Sequence, residues 1–230
     1  MMKNVLISKG ALTTGLILAT ILLWAFPARS AEIVEYLTPT PDSSPADLAF
    51  DAEGNLWLTE MHANKIAKLV PSKAEPGTTK GITEYSLPRP NSKPNFILIG
   101  QAGGVWFSEM GGNAIGRFDP KNGTVQEFHI PTPNSEPHQL AQEKDGIIWF
   151  TEFETNKIGR LDFKSGVIQE FPVNKGHPHG LVLSNNRVWY TEGGKFWRKQ
   201  FSNRVGSLDP ITGNVREFVI PPKDSVPHGI

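Results

Sequence analysis

Residues 137–172 read PHQLAQEKDGIIWFTEFETNKIGRLDFKSGVIQEFP, and this stretch is one copy of a unit that recurs along the chain. Each copy contains a tryptophan-centred segment that ends in Thr-Glu or Ser-Glu. The tryptophans stand at positions 57, 106, 149 and 189 and the glutamates at positions 60, 109, 152 and 192, so both series have the spacings 49, 43 and 40. A period of roughly 40 to 50 residues with several short strands per unit is typical of a β-propeller, because one small sheet cannot bury both of its faces without neighbours.

The quoted copy divides into four predicted strands, over residues 139–142, 147–152, 157–162 and 167–172. Two of the connections, Glu-Lys-Asp-Gly (143–146) and Asp-Phe-Lys-Ser-Gly (162–166), have the composition of tight hairpins. In an up-and-down sheet, the proline-rich turn before the first strand and the loop after Thr-Glu then lie at the opposite end. We therefore predict an all-β fold, a β-propeller of four-stranded blades, with four blades and a stub in this chain.

The sequence also ends in the middle of a unit. Residues 227–230 repeat the opening Pro-His of a blade, and residues 33–37 resemble a last strand without its blade. Propellers commonly complete one blade with strands from both ends of the chain, which removes exposed sheet edges. We expect residues 31–230 to be an incomplete propeller domain of a longer, seven-bladed protein, and a truncated arc to self-associate.

The first thirty residues predict a secretory signal peptide. Lys3 and Lys9 precede an apolar run over residues 11–26, and Ala28-Arg29-Ser30 provides a cleavage site. The alternative is a short membrane anchor, although the run is shorter than the ~20 residues that span a bilayer. We expect an exported, periplasmic or secreted protein with no stable membrane insertion after cleavage.

The chain has no cysteine and a formal net charge of zero, so we expect no disulfides and no nucleic-acid binding.

Histidines recur at the position that follows the turn proline. In successive copies this position is Ala46, Asn95, His138, His179 and His228. The first strand of each blade lines the axis of a propeller, so these side chains are expected to converge. With Glu136 and His177 two residues before the histidines, they form a candidate divalent-metal or acid/base site. The alternative is structural, with each ring bonding backbone carbonyls, but Ala46 and Asn95 show that the repeat does not require histidine.

Other repeated residues are assigned by whether they occur in every copy. The four glutamates of Thr-Glu are interpreted as structural and the four tryptophans as core between blades. The loop after Glu192, residues 193–201, is longer than its equivalents and contains Phe196 and Trp197. Long loops in compact domains are often functional, so these aromatic side chains are predicted to cover a ligand. The alternative is a mobile surface excursion.

Four sequence strings carry a family resemblance: Ile-Thr-Glu-Tyr-Ser-Leu-Pro (82–88), Ile-Trp-Phe-Thr-Glu (148–152), Asn-Lys-Ile-Gly-Arg-Leu (156–161) and Pro-His-Gly-Ile (227–230). They resemble the streptogramin B lyase (virginiamycin B lyase) family. The resemblance implies a seven-bladed propeller and a role in antibiotic resistance. These lyases open the lactone ring of type B streptogramins by elimination, with Mg²⁺ polarising the ester and a histidine removing the α-proton, in keeping with general metal and base catalysis.

By this resemblance His138 is the base, and Glu136, His179 and His228 lie near the Mg²⁺. Asn95, Phe196 and Trp197 are then the candidates for substrate binding. Three functions remain open from the sequence: a metal-assisted lyase acting on a cyclic ester, a non-catalytic exported propeller that binds a peptide, glycan or protein, and a lactonase-like hydrolase on a six-bladed relative of the fold. Fold alone does not decide among them.

Overall fold

The computed structural model describes residues 33–174, 176–195, 199–221 and 225–229, without the side chains of Asp145 and Gln200. Within these residues the chain forms four antiparallel sheets, each of four strands in sequence order. The four-stranded blades predicted from the repeat are therefore confirmed. The expected signal peptide, residues 1–30, lies outside the described residues. No helix within the described part is long and apolar enough to cross a membrane.

The strand bounds follow the repeat. The first blade contains β1 (Pro45–Phe50), β2 (Leu56–Glu60), β3 (Lys65–Leu69) and β4 (Ile82–Ser86). The second contains β5 (Pro94–Ile99), β6 (Val105–Glu109), β7 (Ala114–Asp119) and β8 (Thr124–His129). The third contains β9 (Pro137–Gln142), β10 (Ile147–Glu152), β11 (Lys157–Asp162) and β12 (Val167–Pro172). The fourth contains β13 (Pro178–Ser184), β14 (Arg187–Lys195), β15 (Gln200–Leu208) and β16 (Val215–Val219), and single 3-10 turns occupy Pro71–Lys73 and Lys144–Gly146.

Asp/Gly hairpins join the third and fourth strands of the last three blades. In the second blade the Asp119 carboxylate accepts a hydrogen bond from the backbone N–H of Lys121 at 2.9 Å. Gly123 then takes a φ of 72°, and its N–H donates to the Asp119 carbonyl at 2.9 Å. Gly166 and Gly213 repeat this conformation with φ values of 72° and 73°. Glycine suits these turns because side chains disfavour positive φ.

The core lies between neighbouring blades, as the tryptophan repeat predicted. Trp57, Trp106 and Trp149 are each buried in a cluster that also contains residues of the following blade. Trp189 differs, because its blade is the last described and its outer strand leaves Phe218 and Val219 49% and 67% exposed. At the other end of the arc, Leu48 and Phe50 of the first blade are also exposed.

The first strand of each blade begins earlier than the sequence predicts. In the third blade it starts at Pro137 and includes a register irregularity between Pro137 and Leu140, opposite Glu152 and Phe150. The first strands of the other three blades have the same irregularity after their proline. Proline has no N–H to donate to the ladder, which explains why the regular pairing is interrupted there. In the third and fourth blades this irregular segment contains His138 and His179, respectively.

Two segments lie outside the regular four-strand pattern. Residues 33–37 belong to none of the four sheets; instead the Leu37 N–H donates to the Thr78 carbonyl and the Gly77 N–H to the Glu35 carbonyl, at 3.0 and 2.8 Å. Part of the predicted long loop after Glu192 extends two strands, because Gly194 and Lys195 pair with Phe201 and Gln200. This extended hairpin of β14 and β15 keeps its backbone hydrogen bonds in the sheet.

Candidate functional site

Three histidines converge where the first strands of the last two described blades begin. The Nδ1 of His138 lies 3.2 Å from the Nε2 of His179, a hydrogen-bond distance between two buried imidazoles. Their ring centroids are 4.7 Å apart with planes at 87°, and the His228 ring lies 3.6 Å from that of His179. The sequence prediction that Pro-His residues of adjacent blades meet is therefore confirmed. We call these three residues the histidine cluster.

The turn that presents each histidine has an unusual backbone. The residue before the turn proline has a positive φ in all five copies: Ser44 (55°), Lys93 (50°), Glu136 (48°), His177 (54°) and Val226 (42°). Positive φ is uncommon outside glycine, and a following proline restricts the residue further. Such strain persists only where the surroundings hold it, and it concentrates at functional sites.

Neighbouring blades supply the groups that hold these turns. The Asn156 side chain accepts a hydrogen bond from the His177 N–H at 3.0 Å, and the Thr151 hydroxyl donates to the His179 carbonyl at 3.0 Å. Thr191 makes the same contact with the His228 carbonyl, also at 3.0 Å. The hydroxyl of Thr-Glu thus links each of these histidines to the preceding blade.

Two phenyl rings enclose the cluster. The Phe153 ring stacks on His138 with centroids 5.0 Å apart and planes at 11°, and it meets His179 edge-on at 5.8 Å. Phe96 lies 5.8 Å from His138 and 6.2 Å from His179. Only 7% of His138 and 8% of His179 is exposed, whereas His228 is exposed. The inner part of the cluster is therefore a dry, aromatic environment.

Burial keeps the two inner imidazoles neutral. It disfavours the charged ring and, with the charge of nearby His228, lowers the pKa of His138 to about 4. Burial and the neighbouring His138 and His228 lower the pKa of His179 to about 3. The Nε2 of His138 is buried and has no hydrogen-bond partner among the described residues. His138 thus presents one nitrogen to His179 and keeps the other free.

The remaining predicted site residues lie in different surroundings. The Glu136 carbonyl accepts a hydrogen bond from the Phe153 N–H at 3.3 Å. The Nδ1 of His177 lies 2.9 Å from the Phe153 carbonyl oxygen. His177 therefore contacts the backbone of Phe153 and not the rings of the histidine cluster through this bond. The Asn95 amide contacts the Sδ of Met110 at 2.8 Å. Phe196 and Trp197 lie outside the described residues.

The donor chemistry of the cluster is a poor match to Mg²⁺. This ion prefers oxygen ligands in octahedral geometry, whereas imidazoles suit zinc, copper or nickel. Glu136 is the one carboxylate in the predicted ligand set. Within the described ranges, no group of three or more His, Cys, Asp or Glu side chains is arranged to hold a metal ion.

Sequence reasoning missed three residues around the cluster: Phe96, Phe153 and Lys195. Phe153 directly follows Thr-Glu, where the other copies have Met61, Met110 and Gly193, so a comparison of the copies contains a signal for it. Lys195 is 5% exposed and belongs to the extended hairpin. Its ion pair with Glu154 crosses from the fourth blade to the third.

The Thr-Glu glutamates lie at the same end of the blades. Each pairs across the sheet with the turn proline of its own blade, as Glu152 does with Pro137. All four side chains are fully buried. Burial raises the pKa of each to about 7. Their presence in every blade fits the structural interpretation made from the sequence.

Known proteins match the chain closely in fold. The profile of the virginiamycin B lyase family matches residues 28–230. Virginiamycin B lyase from Staphylococcus aureus superposes with a TM-score of 0.74 at 34% identity, over 86% of this chain and 63% of that one. A streptogramin B lyase structure gives a TM-score of 0.72 at 31% identity, over 83% and 59% of the two chains. Among curated proteins no significant match is found.

A third solved structure is a catalytically inactive virginiamycin B lyase from Staphylococcus aureus with Quinupristin, with 33% identity and a TM-score of 0.74. The chain thus spans about three fifths of the length of these lyases, 63% in this case. The profile match over most of the chain and these identities above 30% agree with the repeat, the blades and the Pro-His turns. The chain therefore belongs to the virginiamycin B lyase family.

Proposed function

We propose that this protein is a streptogramin B lyase-like enzyme that opens a cyclic ester by metal-assisted elimination, with His138 as the general base. Family membership supports the reaction class. One observation carries the assignment of the base: the buried Nε2 of His138 has no hydrogen-bond partner among the described residues, although Nδ1 on the other side of the ring lies at hydrogen-bond distance from His179.

The hydrogen bond within the cluster is compatible with the tautomer that a base needs. The Nδ1 of His138 and the Nε2 of His179 are 3.2 Å apart, so one of them donates and the other accepts. In the proposed mechanism His138 donates. The Nε2 of His138 then has a lone pair, which is the state a general base needs.

The elimination needs only one proton acceptor at this position. The Nε2 of His138 takes the α-proton of the ester-linked residue, and the electrons of that C–H bond form a Cα=Cβ double bond. The Cβ–O bond breaks, and the ring opens with release of a carboxylate. Phe96 and Phe153 exclude water from His138. A dry site suits elimination because it limits competing hydrolysis.

Mg²⁺ as the cofactor is part of the proposal, and its support is the family resemblance alone. By that resemblance Glu136, His179 and His228 would hold it, whereas the imidazole-rich donor set of the cluster fits Mg²⁺ poorly. When bound, the ion would polarise the ester carbonyl. Loss of activity in a chelator, with recovery on adding Mg²⁺ but not Zn²⁺, is the expected result.

Export is proposed from residues 1–30 alone, and N-terminal sequencing of the mature protein tests it.

Mass spectrometry of a type B streptogramin after incubation with the protein tests the function. Elimination opens the ring without a change in mass, hydrolysis adds the mass of one water, and a binding protein returns the cyclic compound. We expect the first outcome. His138→Ala should abolish turnover with little change in Tm. His129→Ala is the matched control, since that ring is 55% exposed on the fourth strand of the second blade.

The other outcomes contradict the proposal in different ways. A hydrolysed product would favour a lactonase-like enzyme. Tight retention of the intact compound, with His138→Ala unchanged, would favour a non-catalytic propeller that binds a peptide, glycan or protein. Equal loss of activity and stability in His138→Ala would mean that the ring is structural.

A further inference from the structure

The extended hairpin distinguishes the fourth blade from the three before it. Its strands β14 and β15 are nine residues long, whereas β10 and β11 of the third blade have six each. The added pairs, Gly194 with Phe201 and Lys195 with Gln200, extend the sheet at the end where the histidine cluster lies. The extension therefore brings Lys195 to the site from the neighbouring blade.

Lys195 is buried at the boundary between the third and fourth blades. Its ammonium forms an ion pair with the Glu154 carboxylate and lies 5.9 Å from the centre of the Phe153 ring. Ammonium groups are attracted to the face of an aromatic ring at about this distance. Both partners are residues of the loop that follows Thr-Glu in the third blade. A residue of the fourth blade thus holds a loop of the third blade.

The loop in turn determines the surroundings of His138. The Phe153 ring lies parallel to the His138 ring at 5.0 Å and contacts the His177 ring at 5.2 Å. Among the described residues the His138 ring has one hydrogen bond, through Nδ1, and a single bond of this kind does not stop the ring from swinging about it. Stacking on Phe153 removes that freedom.

Glu154 and Lys195 are both departures from the repeat, and they occur together. At the position of Glu154 the other blades have His62, Gly111 and Gly194. A buried ion pair is costly to desolvate and is often replaceable by apolar side chains without loss of stability, which makes orientation a reason to keep one. The pair lies beside the one place in the described blades where two histidines share a hydrogen bond.

We propose that Lys195 is a positioning residue for His138: its ion pair with Glu154 and its contact with Phe153 hold the phenyl ring against the imidazole. The effect on catalysis rests on the proposed function. The effect on the geometry of His138 does not, so the two are tested separately.

The test uses proton NMR of the histidine rings in the full chain. A proton above the face of a phenyl ring resonates upfield, so the His138 ring protons report the stacking directly. Lys195→Met and Phe153→Leu should both move them downfield, whereas Lys195→Arg should leave them in place. Glu154→Gln removes the same ion pair from its more exposed side and should act like Lys195→Met. Lys65→Met, which removes the Glu84 ion pair in the first blade, should leave them unchanged.

Unchanged His138 resonances in both Lys195→Met and Glu154→Gln would overturn the proposal, as would an equal shift in Lys65→Met. If the wild-type protein eliminates its substrate, Lys195→Met should lower kcat about ten- to a hundredfold, with a smaller change in KM. Shifted resonances in a protein without lyase activity would support the positioning role and contradict the proposed function.

Discussion

At the scale of single residues, the four Thr-Glu glutamates are best described as buried carboxylic acids. Ser92 and Ser135 lie beside Glu109 and Glu152. Each serine, however, donates its one hydroxyl proton to a carbonyl, at 2.9 Å to Arg89 and 2.7 Å to Thr132. Because that proton is already engaged, the lowering of the glutamate pKa by the neighbouring serine is smaller than the rise that burial causes.

These acids make stability depend on pH. Their pKa is about 7 in the folded protein against an ordinary value of 4.5. Their contribution to the free energy of unfolding is therefore fully present below pH 4.5 and is lost as the pH rises through 7. Each group changes the free energy of unfolding by roughly 1 kcal/mol per pH unit in that interval. We expect Tm to fall between about pH 6 and pH 8.

His138 and His179 change the stability with pH in the opposite direction. Their stabilising contribution is present above their ordinary pKa of 6.5 and is lost as the pH falls toward 4. Above pH 6.5 only the glutamates act, so calorimetric scans in that range isolate them. Glu109→Gln should raise Tm at high pH and flatten the slope. A Tm that rises from about pH 6 to pH 8 would contradict the protonated state.

The pKa of His138 also sets the pH dependence of catalysis. With a pKa of about 4, the imidazole is already unprotonated at mildly acidic pH. Elimination should therefore be nearly constant from about pH 5 to pH 8 and should fall as the pH drops through 4, provided that the protein stays folded. A profile of kcat/KM that breaks near 6.5 would mean that His138 is not the base.

At the scale of strands and turns, the hydroxyl of Thr-Glu is a hydrogen-bonded link between blades. Thr151 accepts a hydrogen bond from the Gln139 N–H at 3.1 Å and donates to the His179 carbonyl at 3.0 Å. It is fully buried, and both partners belong to first strands. One hydroxyl therefore holds two blades in register beside the histidine cluster.

Replacing this hydroxyl by a methyl group should destabilise the protein. Thr151→Val keeps the shape of the side chain but leaves a buried N–H and a buried carbonyl without a partner, at a cost of about 1–3 kcal/mol each. Thr151→Ser keeps the hydroxyl, as Ser108 does in the second blade, and is the control. Denaturant unfolding measures both. Equal stability of the two variants would show that the link contributes nothing.

The strands were largely predictable from the repeat, and the exceptions have physical causes. Residues 147–152, 157–162 and 167–172 are strands with the predicted bounds. Hydrophobic alternation and Asp/Gly turns are local signals, so one copy was enough to read them. The early start at Pro137 and the extended hairpin were not predictable, because irregular pairing and strand extension depend on contacts with a second strand.

At the scale of the whole molecule, the described blades form an arc with an apolar face at each end. Leu48 and Phe50 are exposed on the first blade, and Phe218 and Val219 on the last. Exposed strands and apolar faces are sites of association. We expect residues 31–230 alone to self-associate in sedimentation velocity, and Phe50→Ser with Phe218→Ser to shift the protein toward monomer. A monomeric wild-type sample would contradict this.

The convergence of the histidines was predictable at this scale, but their detailed geometry was not. The repeat places His138 and His179 at equivalent positions of adjacent blades, and a propeller brings such positions together at its axis. The stack of Phe153 on His138 and the ion pair of Lys195 depend on side chains that occur once. A repeat gives no information about residues that it does not repeat.

Several links between blades run from a side chain of one blade to the turn or first strand of the next. Asn64, Asn113 and Asn156 accept hydrogen bonds from the turns of the blade that follows each of them. Thr151 and Thr191 likewise act on the histidine of the next blade. During synthesis, these later strained turns therefore emerge after the groups that hold them have been made. Lys195 reaches back to Glu154, so the orientation of His138 is completed only when the fourth blade has left the ribosome.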